Sequence, residues 1–314
     1  MILFDPYIRT VIFSGTEGKK IEDLDVEFNI ELSSESIPNK ANLVIHNLSA
    51  QTRRLISDEY QAIEFYAGYK KHEPYLVFRG NIVNAAHVRQ GAGFRTTISA
   101  QDGEKEYRTK RFSNNYPAGT QYSAIIKAVA AEMGFPIKIE GLLETDTTLL
   151  SKSYDGLCKD VLNKICGNFM LEWSIQYGTI EVRYRGDFAD DETTATATLI
   201  NKDTGLLGSP ILSQRTDDEA KKKRRKKEKV IWGVDVESLL IPNIKPGRLI
   251  QVQSDALDTS ALLTTKAKRS GLMDEYCVVQ RVTYVGNNFG GEYKTLINAD
   301  FIPDNEITIR RSFQ

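Results

Sequence analysis

Three histidines, His46, His72 and His87, are the natural candidates for general acid-base or metal chemistry, because imidazole titrates near neutrality. They lie far apart in sequence, within or beside strand patterns, and no two share a metal-binding spacing such as H-E-x-x-H. Gly15-Thr16-Glu17-Gly18-Lys19-Lys20 has the composition of a phosphate-binding loop, but the spacing is two residues short and no Ser or Thr follows the lysine, so it reads as a turn. No G-x-S-x-G elbow occurs. Asp187, Asp190, Asp191 and Glu192 could attract a hard cation, yet they lack the spaced oxygens and glycine of a calcium loop and read as a solvated linker. Cys158, Cys166 and Cys277 form no metal knuckle and are expected as reduced core residues. Trp173 and Trp232 sit in apolar strand patterns and are expected in the core. The sequence therefore leads to no catalytic residue, no metal site and no cofactor.

Length and charge narrow the classes further. At 314 residues, two or three compact units are expected. The formal net charge of -1 conceals an asymmetry, because the stretch from Lys221 to Lys229 carries eight basic residues and one acid. An acidic body with one basic run is a poor design for a general nucleic-acid binder, which spreads Lys and Arg over a face. The start MILFDPYIRT lacks the charged and apolar regions of a secretory signal, and no apolar run approaches a membrane span, so folding in a reducing cytoplasm without membrane insertion is expected.

The elements follow from hydrophobic period. DVEFNIELS and ANLVIHNL alternate with period two around a polar loop; a short helix capped by Ser49 follows, then strands at AIEFYAG, PYLVFRGNIVNAAHV and FRTTISAQD. Tyr122, Ile125, Ile126, Val129 and Met133 make a helical stripe that Gly134 ends, and Leu157, Val161, Leu162 and Ile165 make a second, which Gly167 is expected to end. Each leads into a strand, FPIKIE or FMLEWSI. β pattern returns at LINKDTGLLGSPILSQ, KVIWGVDVESLL, RLIQVQS and the pair EYCVVQRVTYV and EYKTLINADF. The fold class expected is α+β, mainly β: residues 1–107 a first β domain, 108–192 an α/β segment, 193–314 a second β domain whose strand and turn order resembles the first. Coincidence between two unrelated β-barrels remains an alternative to a true repeat.

Three stretches resemble the hub proteins of contractile phage tails, including the late-control tail proteins. ANLVIHNLSAQTRRLI with FYAGY and LVFRGNI places Asn47, Leu48, Gly68, Tyr69 and Gly80 as that family's first tube domain does. The two helix-strand units form the second. TGLLGSPIL, GVDVESLLIPNIKPGRLIQVQS and the last hairpin place Gly205, Gly208, Pro210, Leu239, Leu240, Pro242, Pro246 and Gly247 to match. The basic run and the insert DALDTSALLTTKAKRSGLMD depart from the pattern in expected loops, and no lysozyme-type domain is expected.

The resemblance implies a non-enzymatic structural protein of the virion tail: a homotrimer of two tube-type β-barrels per chain that adapts a six-fold tail tube to a three-fold central spike. Its implied partners are the tube protein, the spike, other baseplate proteins and the tape-measure protein in the lumen, with DNA only in transit. Lys221, Lys222, Lys223, Arg224, Arg225, Lys226 and Lys227 are expected to form an inter-ring contact loop. The same fold would serve a bacterial contractile injection machine. Readings from other classes are a carboxylate-dependent cell-wall glycan hydrolase and a carbohydrate-binding β protein.

Overall fold

The computed structural model describes residues 5–14, 17–57, 61–142, 145–189, 195–216, 230–255 and 273–302. The basic run, the insert and the acids Asp190, Asp191 and Glu192 lie outside the described residues. The first region holds β1 (Pro6–Ser14), β2 (Glu17–Ile21), β3 (Val26–Ser33), β4 (Lys40–His46), α1 (Ala50–Ile56), β5 (Ala62–Tyr69), β6 (Tyr75–Gln90) and β7 (Gly93–Gln101). The middle holds α2 (Glu104–Thr109), β8 (Arg111–Tyr116), α3 (Tyr122–Met133), β9 (Ile137–Ile139), β10 (Lys152–Leu157), α4 (Cys158–Asn168), β11 (Leu171–Gln176) and β12 (Thr179–Tyr184). The last region holds β13 (Thr198–Ile200), β14 (Leu206–Thr216), β15 (Val230–Leu239), β16 (Leu249–Ser254), β17 (Met273–Asn287) and β18 (Tyr293–Phe301).

The fold is mainly β with a small α/β insertion, as the sequence periods imply. Strands of the first and last regions join one 13-stranded sheet, ordered β14-β15-β18-β17-β3-β4-β7-β6-β5-β1-β2, with β16 and β13 on a side branch from β17. Alternation drives this: β3 buries Val26, Phe28, Ile30 and Leu32 and exposes the residues between the first four of that row. One continuous apolar core runs under both halves, from Ile12, Phe65 and Phe78 to Val236, Val282 and Tyr284.

The middle segment has its own core. α3 buries Ile125, Ile126, Val129 and Met133 against α4's Val161, Leu162 and Ile165, and Gly134 ends α3 in the left-handed region at φ 81°. α4 departs from expectation. It runs through Gly167 to Asn168; the break comes where Phe169 packs edge-on to Tyr122, centroids 4.7 Å apart, and Met170 takes φ 56°. Trp173 is buried and donates from Nε1 to Asn163 Oδ1 at 2.8 Å. Trp232 corrects the other expectation: it is 40% exposed, because β15 there is flanked by the edge strand β14.

The middle segment is bolted to the sheet by buried polar groups. Asn39 donates from Nδ2 to Ile175 O at 2.8 Å and Gln176 Oε1 at 3.0 Å, and Gln176 Nε2 donates to Ser33 O at 2.7 Å. Tyr177 donates to Val77 O at 3.1 Å and carries Lys245 over its ring at 4.1 Å, so all three regions meet at this side chain. Nearby, Gly247 (φ 78°) lies flat on the Arg183 guanidinium, where any Cβ would overlap it.

Asp102, at the end of β7, is 3% exposed and accepts the Gly178 N–H at 3.1 and 3.3 Å. Burial pushes its carboxyl up to about 7, against the opposing pull of the Gly178 and Tyr177 N–H groups and Arg79, with Glu106 adding to the rise. An unfolded chain releases this proton near 3.8. Between those values the folded state holds the extra proton, so stability falls as pH rises through the window and levels off above about pH 7. Asp102→Asn should therefore gain on the unsubstituted protein in urea-unfolding free energy by up to about 1.4 kcal/mol per pH unit across that window. A difference that stays constant from pH 4 to 8 would contradict the assignment.

Candidate assembly interface

The polar chemistry singled out in the sequence disperses in three dimensions. His46 ends β4 with Nε2 3.4 Å from Glu27, His72 lies in the turn after β5, and His87 bonds Thr96 Oγ1 at 3.1 Å in β6. Glu17 to Ile21 form strand β2, so this part of the supposed loop is extended rather than a turn. Burial pushes the Cys158 thiol up to about 11 and Cys166 up to about 12, and Cys277 well above its ordinary value; all three are free, buried and held protonated. Among the described residues, no group of three or more His, Cys, Asp or Glu is placed to hold a metal ion, and no helix is long and apolar enough to cross a membrane.

What the sheet does organise is strand edges. The order β3-β4-β7-β6-β5 is matched by β14-β15-β18-β17-β16. The match extends to single bonds. Asn47 N–H donates to Phe94 O at 2.8 Å, as Leu240 N–H donates to Tyr293 O at 3.1 Å. Ser99 Oγ donates to Asn42 Oδ1 at 2.9 Å, as Asn298 Nδ2 donates to Asp235 Oδ1 at 2.6 Å. Both long strands carry one bulge against their hairpin partner, at Val83 in β6 and at Gln280 in β17.

The two halves meet where β17 divides one edge between two partners. Met273 to Val278 pair with β16, and Arg281 to Asn287 pair antiparallel with β3, Arg281 opposite Ser33 and Val285 opposite Asn29. The bulge between these segments is pinned: Ser34 donates from Oγ to Gln280 Oε1 at 2.8 Å and from N–H to Gln280 O at 2.9 Å. Arg281 also reaches Glu35 at 2.8 Å. Gly286 lies opposite Phe28, and a Cβ there would come 2.8 Å from that ring and 2.7 Å from Tyr293. Phe28 in turn stacks its edge on Tyr293 with centroids 5.8 Å apart.

Several residues carried by the resemblance gather at this seam. Tyr69 donates to Leu240 O at 3.2 Å; Gly68 gives its N–H to Tyr293 Oη at 3.1 Å and accepts from it at 2.8 Å. The others shape the chain elsewhere. Asn47 takes φ 59° after β4, with buried Leu48 behind it; Gly80 runs so close to Gln101 that a Cβ would sit 2.5 Å from its carbonyl. Gly205 (φ 111°) and Gly208 (φ 63°) lead into the irregularity of β14 beside buried Pro210. Leu239 ends β15, and buried Pro242, Pro246 and Gly247 line the turn into β16. The joint's own residues, Gln280, Ser34 and Gly286, carried no sequence signal beyond a Gly-rich turn.

Residues 8–214 match the sequence model of the family described as baseplate hub gp41. No curated protein matches the chain. Among solved structures, the 43 kDa tail protein of prophage MuSo2 from Shewanella oneidensis is similar over 93% of this chain and 98% of its own, at 8% identity and a TM-score of 0.60. The tail protein of Neisseria meningitidis MC58 is similar over 95% and 97%, at 10% identity and 0.61. E. coli c3393, described as a component of the type VI secretion system with structural similarity to the T4 tail proteins gp27 and gp5, is similar over 94% and 77%, at 10% identity and 0.59. These likenesses establish a shared fold, and the family match spans most of the chain, which thus belongs to the baseplate hub gp41 family, structural proteins of phage tail baseplates.

Proposed function

We propose that this chain is the central hub of a contractile tail, a homotrimer that adapts a six-fold tube to a three-fold spike. In this reading residues 1–107 and 193–314 are two tube-type β-barrels and 108–192 is the segment between them. The observation that carries it is the repeat of strand order down to matched hydrogen bonds, β3-β4-β7-β6-β5 against β14-β15-β18-β17-β16. Two equivalent units per chain let three chains offer six similar faces on one side and three-fold symmetry on the other.

The partners follow: the tube protein above, the spike below, other baseplate proteins around the ring, and the tape-measure protein inside, with DNA passing through. The same adaptor would work in a bacterial injection machine, since the fold is shared with c3393. A hydrolase reading has less support. Asp102 is an acid whose proton affinity burial raises, but it is tied to backbone N–H groups at a packing seam.

Quantitative mass spectrometry of purified particles should count three copies of this chain per particle; six copies would overturn the adaptor. The run from Lys221 to Lys227 is proposed to touch an acidic neighbouring ring, because seven positive charges in a short stretch repel one another within a screening length of about 8 Å and favour an acidic partner or open solvent. Replacing Lys221 to Lys227 with Gly and Ser should leave the isolated protein folded and lower the yield of assembled tails. Normal infectious tails from that variant would reject the contact.

A further inference from the structure

We infer that the β6 segment from Asn84 to Val88 pairs antiparallel with the β14 segment from Ile211 to Arg215 of a second copy of this chain, Asn84 opposite Arg215 and Val88 opposite Ile211. The inference rests on the trimeric reading above and adds to it a surface and a register.

The template is the joint inside the chain. Beyond its bulge at Gln280, β17 pairs with β3, Arg281 opposite Ser33 and Val285 opposite Asn29. The corresponding bulge in β6 is at Val83, so Asn84 stands for Arg281 and Val88 for Val285. On the other side, Asn29 lies opposite Asn42 and Ile211 lies opposite Asp235. Because the Asn42 bond to Ser99 is matched by the Asp235 bond to Asn298, Ile211 stands for Asn29 and Arg215 for Ser33. Transferring the internal joint to two copies gives the stated register with no adjustable choice.

Among the described residues neither segment has a strand on this edge, and the contact made by Ser57 Oγ, at the end of α1, is with the His87 side chain, Nε2 at 3.3 Å. Among the described residues, β5 pairs with β6 only as far as Asn81, and β14 pairs only with β15. Val88 is 60% exposed and Ile211 is 66% exposed, unusual for side chains of this kind on strands. The register sets these two against each other, where the internal joint has Val285 beside Asn29. Pro210, next to Ile211, has no N–H to donate, so regular pairing stops there. The same register sets Arg89, which stands where the internal joint has Gly286, opposite Pro210 at the edge of the β14 irregularity.

The occupant is a second copy because each chain carries one edge of each kind. Each copy then binds two neighbours head to tail, a heterologous contact that closes as a ring when its rotation permits.

The test is disulfide trapping in assembled particles of the full chain carrying Val88→Cys with Ile211→Cys. Mild oxidation should convert the chain to covalent dimers and trimers that reductant reverses. Either single variant should give none, and neither should Val88→Cys with Leu212→Cys, since a one-residue shift sends the second thiol to the other face. Particles with three copies and no cross-link, or a cross-link in the shifted pair instead, would overturn this joint while leaving the hub reading intact. Six copies per particle would overturn the hub reading itself. If the double-cysteine chain is not incorporated, charge exchange replaces it. Ile211→Lys should cut incorporation at least about tenfold, as expected for a lone charge in an apolar contact, and Val88→Glu in the same chain should restore it. Failure to restore would overturn the joint.

Discussion

A strand edge presents backbone N–H and C=O groups that must find another strand or water, and this architecture is organised by how that demand is met at β17. One edge of this strand serves β16 and then β3, on either side of the Gln280 bulge. The bulge separates the two consecutive segments of that edge that take the two partners. With it, the strand turns from one half of the protein to the other, and a single core can run beneath both.

The seams around that joint are closed by specific polar bonds as well as by apolar packing. Ser34 and Gln280, Asn39 and Gln176, and Tyr69 and Leu240 each join segments distant in sequence, and a hydrogen-bonded seam fixes relative placement in a way that a greasy one does not. Asp102 belongs to the same set, with its protonation set by how completely the seam excludes water. In the proposed role as a hub between tube and spike, such fixed placement would matter more than a cavity or a reactive group.

Much of the fold was legible because period and burial agree locally. β3 and β4 alternate cleanly, and α3 shows its stripe and its terminal glycine. β1 escapes a periodic reading because Thr10, fully buried, interrupts the apolar face, and β2 because EGKKI is nearly all polar. β8 exposes most of RFSNNY, so its strand state depends on pairing with β10 across an intervening helix, which no local pattern encodes. The proposed interface is the least legible part. Val88 and Ile211 look like ordinary strand residues, and their exposure emerges once partners are assigned to the other edges. The order of Gly, Pro and Leu positions indicated the family, but not which of them meet: Gly68, Tyr69 and Leu240 converge through Tyr293 and its neighbours.

The central claim is that each chain supplies two equivalent units to one ring. A cryo-microscopy reconstruction of the assembled baseplate, refined with three-fold symmetry, tests it most directly. The account predicts six strand joints of one geometry at intervals of about 60°, three of them the β17–β3 joint within a chain and three between chains. A ring built from one half of six separate chains, or a chain whose halves lie at different radii, would contradict it.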